Sequence, residues 1–237
     1  MTPDLTAALA HVDRVFSGFT CRPDNVCLHC YALDDVAPMA VAGAELGTAT
    51  LASLMFRSPF SVDDHAALVR RLLPQMAHGM ADGSIEITWS AHHCLARGDW
   101  REWPDRQSLA VRRFVEAWWF DQVTTPGHET PFDAYAAILG DLPSALASWP
   151  EHPVADRYLV DVSEGWIDDL MVDCNPLWVS DDADDSETCA VLRDWYIGTA
   201  AERLVCAGAT ELATAARLLA LPIDERMRRL YGASPTT

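Results

Sequence analysis

The chain has 237 residues, half of them hydrophobic and nine of them Trp, which is apolar surface enough to offset the entropy of folding and excludes a disordered chain. All seventeen basic residues are Arg, and thirty-five Asp and Glu bring the net charge to −18. That balance argues against nucleic acid and anionic lipid as partners, because both are held largely by Lys and Arg neutralising phosphate.

Taken in chain order, the punctuation is helical. Thr2 precedes Pro3 and Asp4, a cap followed by proline at the first helical position, and Leu5, Leu9, Val12, Phe16 and Phe19 share one face. This start has neither the basic residues nor the continuous apolar core of a signal peptide, and seven cysteines, an odd number, form no evident disulfide framework. Both features lead us to expect a cytoplasmic protein.

Residues 20–31 follow, with cysteines spaced C-x5-C-x2-C at Cys21, Cys27 and Cys30. A two-residue gap lets two thiolates of a tight turn face one ion, and Arg22-Pro23-Asp24-Asn25 is turn chemistry suited to a knuckle. Zinc in a structural site takes four ligands. His29 would strain the turn, so Cys94 or His92 of the distant His92-His93-Cys94 cluster is the expected fourth. A redox pair and unrelated thiols are the competing readings.

Val36 to Phe56 carries Glu45 as its sole charge, yet it is rich in Ala and broken by Pro38, Gly43 and Gly47. We expect two buried helical pieces and no membrane span. Ser61 is expected to cap a helix with Asp63 and Asp64 in its first turn, Leu68, Leu72, Leu73, Met76 and Met80 inward, Arg70 and Arg71 on the other side, a kink at Pro74 and an end near Gly83. Ser84 to Gly98 alternates ambiguously and is read as helix, for want of a second strand to pair with.

A clear helix runs from Trp103-Pro104-Asp105 to Gln122, with Leu109, Val111, Phe114, Val115, Trp118 and Trp119 on one broad face. Shorter helices are expected from Thr130-Pro131 to Leu139 and from Pro143 to Ser148, and a longer one from Val154 to Val172. Asn175-Pro176 breaks the chain, and the acidic run Asp181 to Glu187 reads as a negative first helical turn, since it lacks the glycine and last Glu of a calcium loop. Two or three further helices are separated near Gly208 and Pro222. The expectation is a single all-α domain, 1–237, of about nine to eleven helices, either an irregular hairpin array like HEAT or armadillo repeats or a compact bundle.

Three blocks in the first 120 residues resemble a family of uncharacterised bacterial helical proteins: Phe19-x-x-Arg22-Pro23 leading to Cys27-Leu28-His29-Cys30, Val62-Asp63-Asp64 followed by Leu72-Leu73-Pro74, and Arg101-x-Trp103-Pro104 leading to Glu116-Ala117-Trp118-Trp119. The resemblance implies a shared helical fold in which the C-x-H-C element matters, and it carries no established activity. Cys21 and the His92-His93-Cys94 cluster depart from that pattern. The functional expectation is a zinc-stabilised helical interaction or scaffold protein, using Cys27, Cys30, Cys21 and Cys94 or His92. The alternative is a small-molecule enzyme with a cleft around residues 92–119, lined by Trp100, Trp103 and Trp119 with His92 or His93 as the reactive group.

Overall fold

The computed structural model describes residues 1–56, 62–85, 93–127, 132–177 and 184–231. The fold is all-α, as expected; among the described residues no strand forms, and the extended pairing is a single antiparallel bridge between Val26 and Val62. No described helix is long and apolar enough to cross a membrane. The chain divides into two compact units, Met1–Gln122 with Glu129–Gly140 and Val123–His128 with Asp141–Thr237.

The first unit begins with α1 (Pro3–Phe16), whose N-cap Thr2 accepts from the Leu5 amide at 3.3 Å. Leu5, Leu9, Val12 and Phe16 are buried, each worth about 2 kcal/mol of apolar burial. They pack α1 on α4 (His65–Asp82). Between them run α2 (Leu33–Val36), a 3-10 turn over Ala37–Ala40, and α3 (Thr48–Met55), the two pieces foreseen on either side of the glycine break.

Ser61 lies outside the described residues, and the cap of α4 is Asp64, whose carboxylate accepts from the Ala67 amide at 2.8 Å. Pro74 sits inside α4, and Gly83 closes it at φ +75°, the left-handed conformation glycine adopts without cost. Arg71 is not on the solvent side, as the periodicity suggested. It is buried, and its guanidinium donates to the carbonyls of Met39 at 3.2 Å, Pro38 at 2.9 Å, Val41 at 3.1 Å and also Ala44.

Of the expected helix over 84–98, residues 86–92 lie outside the described residues and 93–98 form turns. Then α5 (Asp105–Thr124) buries Val111, Phe114, Val115, Trp118 and Trp119, while Leu109, expected on that face, is exposed. Next, α6 (Phe132–Leu139) places Phe132 and Tyr135 against Trp119, with Tyr135 stacked at 4.9 Å. Thr130 and Pro131, its expected start, lie outside the described residues.

The second unit contains α7 (Leu142–Ala147), α8 (Pro153–Met171), α9 (Asp185–Trp195), α10 (Ala201–Cys206), α11 (Thr210–Leu218) and α12 (Ile223–Tyr231). Asp185 and Glu187 make the acidic first turn of α9 behind the cap Asp184. A π-helical turn over Tyr196–Ala200, which no periodicity announced, joins α9 to α10. Helix α8 is packed by α10, α11 and α12.

Candidate functional site

The cysteine loop is tied down by amide and guanidinium groups. Asn25 is buried; its side-chain N–H donates to the Asp64 carbonyl at 2.9 Å, and its carbonyl accepts from the Asp64 amide at 2.5 Å. The same Nδ2 lies 3.0 Å from Cys21 Sγ, which is buried and accepts from it. Burial raises the Cys21 thiol above its ordinary value, so it stays protonated. Cys27 and Cys30 are exposed on a turn in which the Cys30 and Tyr31 amides both donate to the Cys27 carbonyl, at 2.9 and 3.2 Å.

The expected fourth ligands are elsewhere. Cys94 is fully buried, with its thiol on Met76 Sδ at 3.5 Å, and burial pushes its pKa up to about 12. His92 lies outside the described residues. Among the described residues no group of three or more His, Cys, Asp or Glu is placed to hold a metal ion. Of the expected zinc ligands, Cys94 is sealed in the core, Cys21 accepts from Asn25, and Cys27 and Cys30 are exposed, while His92, the other expected fourth ligand, lies outside the described residues.

Around residues 93–119 the indoles are core. Trp100, Trp103, Trp118 and Trp119 are all buried, and Trp118 Nε1 donates to the Met80 carbonyl at 3.2 Å. Guanidiniums cover two of the rings, Arg70 over Trp103 at 4.3 Å and Arg101 over Trp100 at 4.7 Å. His93 is fully buried, set edge-on to Phe56 at 5.7 Å, and its Nδ1 accepts from the Leu95 amide at 3.1 Å. Desolvation drops its pKa to about 3, so the ring is neutral at physiological pH. Among the described residues these groups are packed against protein neighbours, and His92, the other expected reactive group, lies outside them.

An open groove does exist in the first unit, between α1 and α5. The Met1 amino group lies 3.6 Å from the buried Asp121 of α5, and the Thr2 amide donates to the same carboxylate, so the start of α1 is fixed beside the end of α5. The groove holds about 690 Å3 and is floored by Ala7, Ala8 and Ala117. Asp4, His11 and Arg14 rise from α1, and Arg113, Glu116 and Phe120 from α5. Small side chains leave the space; Phe120, 44% exposed, gives it an apolar wall.

Its lining balances two guanidiniums, Arg14 and Arg113, against two carboxylates, Asp4 and Glu116, of which Glu116 is paired with Arg112 at 3.9 Å, in a chain of net charge −18. Arg14, Arg106 and Arg113 make no ion pair or hydrogen bond among the described residues, and all three act on His11. His11 Nδ1 is buried without a hydrogen-bond partner among those residues. Burial and then the charges of Arg113, Arg14 and Arg106 hold the imidazole below its ordinary pKa. The groove can thus supply guanidinium donors to an anion while its histidine stays uncharged.

Sequence reasoning passed over these residues because all but Ala8 lie outside the buried stripes, and Ala8 is too small to mark one. One signal was present: Phe120 is an aromatic residue out of phase with the core face of α5, as Ala7, Ala8 and His11 are neighbours on α1 at helical spacing. Compared with protein-family models, curated proteins and solved structures, the chain matches none.

Proposed function

We propose that the protein is a helical interaction module whose α1/α5 groove takes a short acidic segment of a protein partner. The observation that carries this reading is the pair of guanidiniums Arg14 and Arg113, without ion pair or hydrogen bond among the described residues, beside an alanine floor and the exposed Phe120, with the charge of Arg106 also acting on His11, in a chain of net charge −18. Guanidinium pairs well with carboxylate, often through two parallel hydrogen bonds, and an amphipathic helix laid in a groove offers carboxylates and an apolar anchor at i, i+3 and i+4. A short segment suits the site, because a long polyanion would meet the repulsion of the rest of the surface. The reading gives zinc no part: the loop over residues 21–46 is secured by Asn25 and Arg71.

The test is fluorescence anisotropy with a labelled helical peptide carrying Glu on two successive turns around a Leu, and with its Gln counterpart. The Glu peptide should bind more tightly, and the Arg14→Glu/Arg113→Glu variant should weaken it by about tenfold or more, roughly 1.4 kcal/mol. Both arginines are exposed, so the thermal melt of that variant should match the parent. Equal binding of the Glu and Gln peptides, or undiminished binding to the charge-reversed protein, would exclude the reading.

A further inference from the structure

The second unit holds an open groove of about 650 Å3 between α7, the loop after it, and the α9–α10 segment. Its lining includes Trp195 and Trp149, whose rings pack on one another with centroids 5.3 Å apart; Trp149 is itself buried and stacked on Tyr158 at 5.7 Å, and the rim carries Glu151, Asp194 and Glu202. The three carboxylates are exposed and make no ion pair or hydrogen bond among the described residues. Trp195 is half-buried, so part of its ring is open to the groove.

The one basic residue of the lining, Arg203, does not offset them. Its Nε donates to Asp156 at 3.0 Å and its Nη1 to the Trp149 carbonyl at 3.0 Å, and the guanidinium is spent on holding that loop to α10. Asp194, Trp195, Thr199 and Glu202 line the groove along a segment that contains the π-helical turn over Tyr196–Ala200. Single π-turns inside α-helices recur at functional sites because they re-aim the side chains around them.

We propose that this groove is a binding site for a small molecule bearing a quaternary ammonium group. The open part of the Trp195 indole attracts and desolvates methylated ammonium through the ring quadrupole, which hydrated sodium does not exploit, and nearby carboxylates add charge without a tight coordination shell. The volume exceeds that of the cationic head, leaving room for the rest of a small ligand along Leu146 and Val191.

The experiment follows the indole N–H resonances of the full chain during titration with choline, with its neutral isostere 3,3-dimethylbutan-1-ol, and with sodium chloride at matched ionic strength. Choline should shift the Trp195 resonance in a saturable way, and the isostere should bind at least tenfold more weakly. Trp195→Ala should abolish binding. Because Trp195 also packs on Trp149 and Tyr196, Glu202→Gln/Asp194→Asn supplies an exposed, fold-neutral variant, which should weaken choline by about tenfold. Equal affinity for choline and the isostere would reduce the site to an apolar groove and overturn the proposal, as would a choline shift reproduced by salt or unchanged in the carboxylate variant. Saturable binding of a trimethyllysine peptide with none of free choline would also overturn it, assigning the groove to a modified protein instead.

Discussion

The two units carry open grooves of nearly equal volume, about 690 and 650 Å3, and the difference between them lies in what their arginines do. In the second unit Arg203 is consumed by Asp156 and two backbone carbonyls, and the exposed carboxylates set the sign of the site. In the first unit Arg14 and Arg113 make no ion pair or hydrogen bond among the described residues, while Arg71, elsewhere in that unit, is spent on four carbonyls. A net charge of −18 therefore says little about either groove. What counts is which charges remain after the fold has used the others for its own hydrogen bonds.

Acid is the strongest way to break this comparison, because it attacks the first unit through its buried core. His93 binds a proton near pH 6.5 when unfolded, its ordinary value, and only near pH 3 when folded. The unfolded chain thus holds more protons between those limits, so stability is fully present above about pH 6.5 and falls as pH drops toward 3, by up to about 1.4 kcal/mol per pH unit from this residue. Urea unfolding across that range should show the slope, and His93→Asn, which keeps an acceptor for the Leu95 amide, should flatten it. An unchanged slope in that variant would mean that the buried imidazole is not the group responsible.

The division between spent and available arginines is tested next by removal. Arg71→Met should cost about 3 kcal/mol, since it strands buried carbonyls that a charged donor had satisfied. Arg203→Met should cost about 2 kcal/mol, its site being less deeply buried, and should loosen the Trp149 wall of the second groove. Denaturant midpoints at constant slope would measure both. If either variant unfolds with the parent, the guanidinium in question is not a clasp and the contrast between the two classes collapses.

Helices, caps and breaks were legible because they rest on local rules: Thr2 and Gly83 punctuate where their backbone preferences require. The site was legible only in part. Cysteine spacing drew attention to residues 21–30 as a zinc staple, while the clamp seen among the described residues is one the spacing did not announce: Asn25 pairs with the backbone of Asp64, thirty-nine positions away. A lone Asn in a turn has no sequence signature that separates a surface residue from a long-range clamp. Asn25→Ala should accordingly cost about 2 kcal/mol, and Cys27→Ser/Cys30→Ser less than about 0.5 kcal/mol, in chelator-free thermal melts. A zinc staple demands the reverse order. The α1/α5 groove escaped for a related reason: a groove is made by what two distant helices omit, and Ala7, Ala8 and Ala117 are ordinary helix formers until they face one another.

The smallest expected effect is the most specific to the first groove. Arg113→Gln removes an exposed, unengaged guanidinium, so stability should move by no more than about 0.5 kcal/mol. The same change should raise the pKa of His11, because Arg113 is the foremost of the charges that depress it; burial, the larger cause, is left in place, so the value should remain below that of a free imidazole. Arg14→Gln should act in the same direction and less strongly, following the order in which the two charges act. A carboxylate seated between the arginines would also raise it, by neutralising them, so the His11 ring resonances, followed through pH titration with and without the acidic peptide, report occupancy of the groove itself. A pKa raised by the peptide in the parent and much less in Arg14→Gln/Arg113→Gln would place the ligand between those two side chains. A rise of equal size in both proteins would place it elsewhere on α1 and remove the groove from the assignment.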